Sequence, residues 1–338
     1  MLKRLVLFLI LPFMFSACSV QKNIETITFS SWGSVTETQI INGLIKEFEN
    51  KNPDIKINFI HIPQNYFQKI HLLFASSTSP DVIFINNLYL PVYANNLMVL
   101  DDIINKEEFY PQSIRALSYN NKLLAVPRDI SNLVFYYNKN IVGNLNPNWN
   151  FEEFQKIVQR PQKKNTWNLS YERDIFYAVP YIKTLGFDEG IGYYKEIEGK
   201  YTPNPSDIGS LTLAQMFIEG RIGLYLSGRW MYPKINESVK FPYGIITFPG
   251  VTPADASGWA ISKKTKHKDS AVKFIRFLSS KGSIDYFTRT GLIVPARIDS
   301  SKIIKEPAFL KAIEKSEPNI TDKNYNKYRD NMNKFLWR

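Results

Sequence analysis

Three tryptophans stand beside polar or small residues, in Ser31-Trp32-Gly33, Arg229-Trp230 and Gly258-Trp259. An indole in such surroundings can stack on the apolar face of a flat, hydroxyl-rich molecule while neighbouring groups take its hydroxyls. Polar partners of the right kind occur at Ser34, at Asn86 and Asn87, and at Arg128 and Asp129. The guanidiniums of Arg128 and Arg229 could instead grip a phosphate or carboxylate in bidentate fashion. Each of these residues also has an ordinary structural role open to it. Tryptophans fill cores, Arg128 and Asp129 can pair with each other, and Asn86-Asn87 can form a turn. Glu37 is assigned to capping or an ion pair on the first helix, Asp81 to capping or orienting its strand, and Tyr136, Tyr137 and Asn138 to packing at the hinge.

Chemistry beyond binding has little to stand on. There is no nucleophile elbow, P-loop or dinucleotide fingerprint, and His61, His71 and His267 lack metal-ligand spacing. A glycosidase would need two carboxylates facing each other across a cleft, a geometry that the sequence alone leaves open. The expectation is a binding protein without catalytic residues, metal or cofactor. The formal charge of +11 is distributed among acidic neighbours, as in Lys195-Glu196 and Lys263 to Asp269, with no basic stripe. Nucleic acid is therefore not an expected partner.

The first residues set the compartment. Lys3 and Arg4 precede the apolar run Leu5 to Phe15, followed by Ser16, Ala17 and Cys18. Residues 1–17 read as a signal peptide, too short in its apolar core to span a bilayer. Cys18 is the single cysteine, which rules out an intramolecular disulfide. The stretch Phe15-Ser16-Ala17-Cys18 resembles a bacterial lipobox, with Phe where Leu is usual. That resemblance implies a lipidated Cys18, a linker over residues 18–23, and an extracytoplasmic protein anchored to a bacterial membrane, periplasmic or on the outer face.

The elements that would position the polar and aromatic candidates alternate between strand and helix. Ile24 to Ser31 reads as a buried strand, and Thr38 to Glu49 as a helix with Ile41, Leu44, Ile45 and Phe48 on one face. A strand at residues 55–59, a helix from Tyr66 to Ala75, a strand from Val82 to Ile85 and a helical Leu90 to Leu97 continue the pattern. Further strands are expected at Leu133 to Tyr137, Ile222 to Leu226, Tyr243 to Phe248 and Gly258 to Ser262. Helices are expected at Phe151 to Gln159, capped by Asn150, at Ala214 to Glu219 and at Ser270 to Leu278. From Pro161 to Ser210 the pattern dissolves. Alternation of this kind predicts an α/β fold with mostly parallel sheets, whose ligands sit beyond the carboxyl ends of the strands. Those ends fall at Ser31 to Ser34, at Asn86-Asn87 and at Arg229-Trp230.

Several stretches then occur in an order that resembles the solute-binding proteins of ABC importers handling maltose, other sugars and glycerol phosphate esters. They are Ile27 to Trp32 with Phe48 to Pro53, Pro80-Asp81-Val82, Leu97 to Asp101, Val126-Pro127 with Tyr136-Tyr137-Asn138-Lys139, Glu219-Gly220-Arg221 to Trp230, and Gly258 to Ala296. The resemblance implies a type II periplasmic-binding-protein architecture: two α/β lobes, a ligand cleft between them, and three crossover segments near 125–127, 248–257 and 292–296. Lobe one would comprise residues 24–124 and 257–293, lobe two residues 125–256 and 294–338. It also implies that Gly258 and Trp259 contact ligand, that the ligand is a sugar or polyol, and that importer permease subunits are partners of a monomer. The alternatives are a receptor for glycerol 3-phosphate or a related ester, and a secreted carbohydrate-acting enzyme. The chain is shorter than the family pattern between Pro161 and Ser210, where ligand contacts usually arise.

Overall fold

The computed structural model describes residues 24–319 and 323–337. The leader, Cys18 and the linker lie outside them. Strand β1 (Glu25–Ser31), helix α1 (Val35–Lys51), strand β2 (Ile55–His61), helix α2 (Tyr66–Ala75) and strand β3 (Val82–Asn86) form the first half of lobe one. Helix α1 begins where Ser34 and Glu37 make a reciprocal capping box, and it buries Ile40, Ile41, Leu44, Ile45 and Phe48 on one face.

The first sheet has five strands in the order β2, β1, β3, Asp255–Ile261, Val126–Ser131. Strands β1, β2 and β3 are parallel, but Asp255–Ile261 runs antiparallel to both of its neighbours. The sheet is thus mixed. A strand that returns from the other lobe enters at the edge where β3 ends, so its direction is reversed. The second sheet orders Tyr243–Thr247, Val134–Asn138, Ile222–Ser227 and Trp167–Ser170, with only the last pair parallel. The expectation of mostly parallel sheets holds for the opening β1, β2, β3 unit and fails for the second sheet.

Strand pairing shifts the expected lobe boundaries. Val126–Ser131 is an edge strand of the first sheet, so the chain leaves lobe one after Ser131 and not at residue 124. Residues 294–296 run along that same edge, with Ile130 N donating to Val294 O at 2.9 Å and Ala296 N to Arg128 O at 3.0 Å. The third crossing accordingly lies between Arg297, which donates to Glu108 in lobe one, and the helix Pro307–Glu314, which packs on the second sheet. At the second crossing Thr252–Pro253 pairs with Ser316–Glu317, tying the C-terminal segment to the hinge.

The stretch without a readable pattern forms the strand Trp167–Ser170 and the helices Ile175–Leu185 and Phe187–Ile197. The two helices touch at Gly190, where a Cβ would stand 2.6 Å from the Ile182 backbone. Pro180 sits inside the first of them and removes one hydrogen bond from its ladder. No described helix is long and apolar enough to cross a membrane.

Candidate functional site

The carboxyl ends of β1 and β3, the start of Asp255–Ile261 and the end of Val126–Ser131 share one edge of the first sheet. Facing that edge are Arg229 and Trp230, which follow the strand Ile222–Ser227, and Phe176 at the start of Ile175–Leu185. Between them is a cleft of about 310 Å³ lined by Trp32, Asn86, Arg128, Asp129, Arg229 and Trp230, together with Glu37, Ser131, Asn132, Phe176, Asp255 and Ser257. Six of the ten residues expected at a ligand site therefore converge on one cavity.

Trp32 is half-buried, its ring centroid 4.4 Å from Phe84 and 4.9 Å from Tyr66. Trp230 is 36% exposed and 6.4 Å from Phe176. These rings border the cavity with aromatic surface, while Asn86, Ser131, Asn132 and Ser257 supply polar groups. Asn86 Oδ1 also accepts from Tyr89 N at 3.1 Å, the turn contact that was open to it.

The charged residues are largely occupied by one another. Arg128 Nε donates to Asp129 Oδ2 at 2.6 Å, and its Nη2 lies 3.4 Å from Glu37 Oε1. Its guanidinium sits 4.2 Å over the Phe84 ring. Glu37 takes both roles assigned to it, since its other oxygen accepts from Ser34 N at 3.0 Å. Burial pushes the Asp129 carboxyl above its usual range, against the opposing pull of Arg128. Arg229 Nη1 donates to Thr288 O at 3.2 Å and Ile293 O at 2.5 Å, and Nη2 lies 4.0 Å from Glu306. Burial draws its guanidinium below its ordinary value. The two arginines thus serve separate internal networks and do not form a shared anion fork.

Four expected residues take other positions. Ser34 is the exposed cap of α1, accepting from Glu37 N at 3.2 Å. Asn87 is buried and fastens the hinge, donating to Asp255 Oδ1 at 2.8 Å and accepting from Ala256 N at 3.1 Å. Gly258 stands opposite Ile85 and Pro127, where a Cβ would meet Val126 O at 2.0 Å. Trp259 is 1% exposed, opposite Phe84 and Val126, and belongs to the core. The two-residue step from Ser257 at the sheet edge to Trp259 carries the indole out of the cleft.

Phe176, Asp255 and Ser257 were not singled out by sequence. Phe176 lies in the stretch where periodicity failed. Asp255 precedes the apolar part of its strand, and a carboxylate before a strand reads as solvated. It is instead buried, held by Asn87 and by Asn319 Nδ2 at 3.0 Å, and burial raises its carboxyl to about 6. Among the described residues no group of His, Cys, Asp or Glu could hold a metal ion. His61 Nε2 pairs with Gly33 O at 3.0 Å, and His267 Nδ1 lies 2.6 Å from Glu25 Oε1, so neither lines the cleft.

Residues 32–284 match the model of a protein family described as bacterial extracellular solute-binding protein. The maltodextrin-binding protein MdxE of Bacillus subtilis is 22% identical over 336 aligned residues, covering 85% of this chain and 78% of its own. An uncharacterized ABC transporter extracellular-binding protein of Pyrococcus horikoshii is 22% identical over 313 residues, covering 80% of this chain and 73% of its own. Among solved structures, the ABC substrate-binding protein Lmo0181 from Listeria monocytogenes, in complex with cycloalternan, superposes with a TM-score of 0.81 at 20% identity. That match covers 93% of this chain and 92% of the other. The sugar-binding protein MalE from Xanthomonas citri superposes at 0.78, with 19% identity over 92% and 91% of the two chains. The fold is that of type II periplasmic binding proteins, two lobes about a cleft.

Proposed function

Because this chain belongs to the bacterial extracellular solute-binding proteins, we propose that it captures a sugar in the cleft between its lobes and delivers it to the permease subunits of an ABC importer. One observation carries the choice of ligand. Half-exposed rings of Trp32, Phe176 and Trp230 border a cavity whose remaining lining is largely neutral and polar or internally paired. Rings cover the apolar faces of a pyranose, and neighbouring amides and hydroxyls reach its edges. Relatives named for maltodextrin and structures holding cycloalternan or maltose support the same ligand class.

A phosphate-ester ligand is not favoured, since both arginines are committed to partners within the fold. A hydrolytic reaction is not favoured either. The cleft carboxylates Glu37, Asp129 and Asp255 each hold at least one internal hydrogen bond or ion pair, leaving no opposed free pair for glycoside cleavage. The protein is extracytoplasmic by family, and its anchoring through a lipidated Cys18, with the protein acting as a monomer, completes the proposal. Two acyl chains, at about 0.8 kcal/mol per buried methylene, suffice for stable attachment.

The test is a thermal-shift and calorimetric screen of neutral sugars against glycerol 3-phosphate. Sugar binding with a raised Tm is expected. Stabilisation by the phosphate ester alone would overturn the assignment. For the anchor, Cys18→Ser should move the protein out of the detergent phase, and unchanged partitioning would refute lipidation.

A further inference from the structure

The end of the first sheet opposite the cleft is where the chain enters the fold. Ile24, 58% exposed, leads into β1 at Glu25. The strand Asp255–Ile261 runs antiparallel to β3 and so finishes at that same end. The loop after it reads Ser262-Lys263-Lys264-Thr265-Lys266-His267-Lys268. Loop and entry point touch: His267 Nδ1 lies 2.6 Å from Glu25 Oε1, and Ser270 Oγ, just beyond the loop, donates to Glu25 Oε2.

Resting on the lipidated Cys18 of the reading above, we propose that this loop docks on the anionic headgroups of the bilayer that holds the anchor, and so sets how the protein stands on it. The residues 18–23 extend at most about 20 Å, so an acylated Cys18 keeps the loop within that reach of the headgroups. Lys263, Lys264, Lys266 and Lys268 are all exposed, and none forms an ion pair among the described residues. Lys263 and Lys264 donate to neutral acceptors, Asn95 O and Ser77 Oγ, both at 2.9 Å. Neighbouring carboxylates are engaged within the fold. Asp81 accepts from Thr28 N at 2.7 Å and from Thr265 Oγ1 at 2.6 Å, and Glu25 holds His267 and Ser270. Asp269, which is exposed, stands in the first turn of the helix Lys268–Leu278, where the helix dipole favours an anion. Ile24 adds an exposed apolar side chain where the tether joins.

Attraction of a lysine to an anionic surface decays within a Debye length, about 8 Å at physiological ionic strength. Lysines elsewhere on the protein lie beyond that range unless something turns them to the membrane. The tether brings this loop there. Acyl chains alone attach a protein without fixing its orientation, whereas four cations clustered at the point of attachment give it one. Strand β1 spans about 20 Å from Glu25 to Ser31, and its carboxyl end borders the cleft. Docking through the loop therefore holds the cleft edge of the sheet about that far from the headgroups and open to solute.

Acylated protein reconstituted into nanodiscs of phosphatidylglycerol or of phosphatidylcholine, with amine labelling read by mass spectrometry, tests the docking. Lys263, Lys264, Lys266 and Lys268 should be about threefold or more less reactive in the anionic discs, and about 0.5 M salt should remove the difference. Lys156, Lys163 and Lys164, exposed on lobe two, should react alike in both discs. In a second measurement, the chain from residue 18 without acyl groups, as Cys18→Ser, should co-sediment with phosphatidylglycerol vesicles. Lys263→Gln, Lys264→Gln, Lys266→Gln and Lys268→Gln together should weaken that binding about tenfold or more at parental Tm. Equal labelling in the two discs, or vesicle binding unchanged by the four substitutions, would overturn the docking while the anchor stands. Protein that enters neither disc would overturn the anchor and the docking with it. Binding to soluble polyphosphate but not to vesicles would assign the loop to an anionic polymer and overturn the membrane assignment.

Discussion

The guanidinium of Arg229, at the end of a strand in lobe two, donates to the carbonyl of Ile293, in the segment that runs back along lobe one. Thr288 O, near the C-terminal end of the helix Lys281–Arg289, accepts from the same nitrogen, where the helix dipole favours a cation. Arg229 thus joins the lobes at the cleft wall.

Arg229→Ala should cost about 2 to 4 kcal/mol, because it leaves two carbonyls and Glu306 without their charged partner. Urea unfolding measures this cost. Small-angle scattering should also show a larger radius of gyration for the variant at saturating ligand. A variant with parental stability and parental dimensions would show that the contact is incidental.

The elements of lobe one were legible because their apolar positions repeat cleanly. Helix α2 spans Tyr66–Ala75 as expected, and α1 extends the expected helix by its capped first turn and by two residues at its end. What was not legible depends on register. Trp230 and Trp259 look alike in sequence, each following a residue that is small or charged at a strand boundary. Only pairing with Phe84 and Val126 decides that Trp259 lies inside the sheet. Phe176 was hidden for another reason: the helix that bears it is apolar around most of its circumference and contains Pro180, so no 3.6-residue stripe stands out. Asn87 and Asp255 form a polar hinge across 168 residues, a separation at which sequence offers no signal.

Trp259→Ala should destabilise by about 3 to 5 kcal/mol, the range for a large buried ring, and should affect ligand affinity only through stability. Gly258→Ala should also destabilise, since its Cβ would collide with a backbone carbonyl that cannot move without breaking strand pairing. Chemical denaturation of both variants checks this. Parental stability in Trp259→Ala would contradict its placement in the core.

Asp255 makes stability depend on pH with a definite sign. Its carboxyl titrates near 6 in the fold, above its unfolded value of about 3.9, so the folded state binds more protons between those values. The contribution is fully present below about pH 3.9 and is lost as pH rises through about 6. Asn87, Asn319 and the more distant charge of Lys183 oppose the upward shift, and burial outweighs them. Relative to Asp255→Asn, the parent should lose about 3 kcal/mol between pH 4 and pH 7 and nothing more above that. Parallel pH profiles for parent and variant would show that Asp255 titrates normally.

Trp230 should carry a large share of ligand affinity. Its ring lies over Gly228, where a Cβ would come within 1.9 Å of the indole, so the absence of a side chain at 228 sets the ring's seat. At about 25 cal/mol per Å², an indole face covering some tens of Å² of a sugar contributes roughly 1 to 2 kcal/mol. Trp230→Ala should therefore weaken binding about tenfold. The residue is 36% exposed, so Trp230→Ala also loses the packing of its buried part, and circular dichroism and Tm of the variant separate that loss from the loss of affinity. Gly228→Ala should displace the indole and reproduce most of the affinity loss while the indole itself is retained. If calorimetry finds that Gly228→Ala and Trp230→Ala both bind sugar like the parent, the ring does not touch ligand and the cleft is held by Trp32 and Phe176 instead.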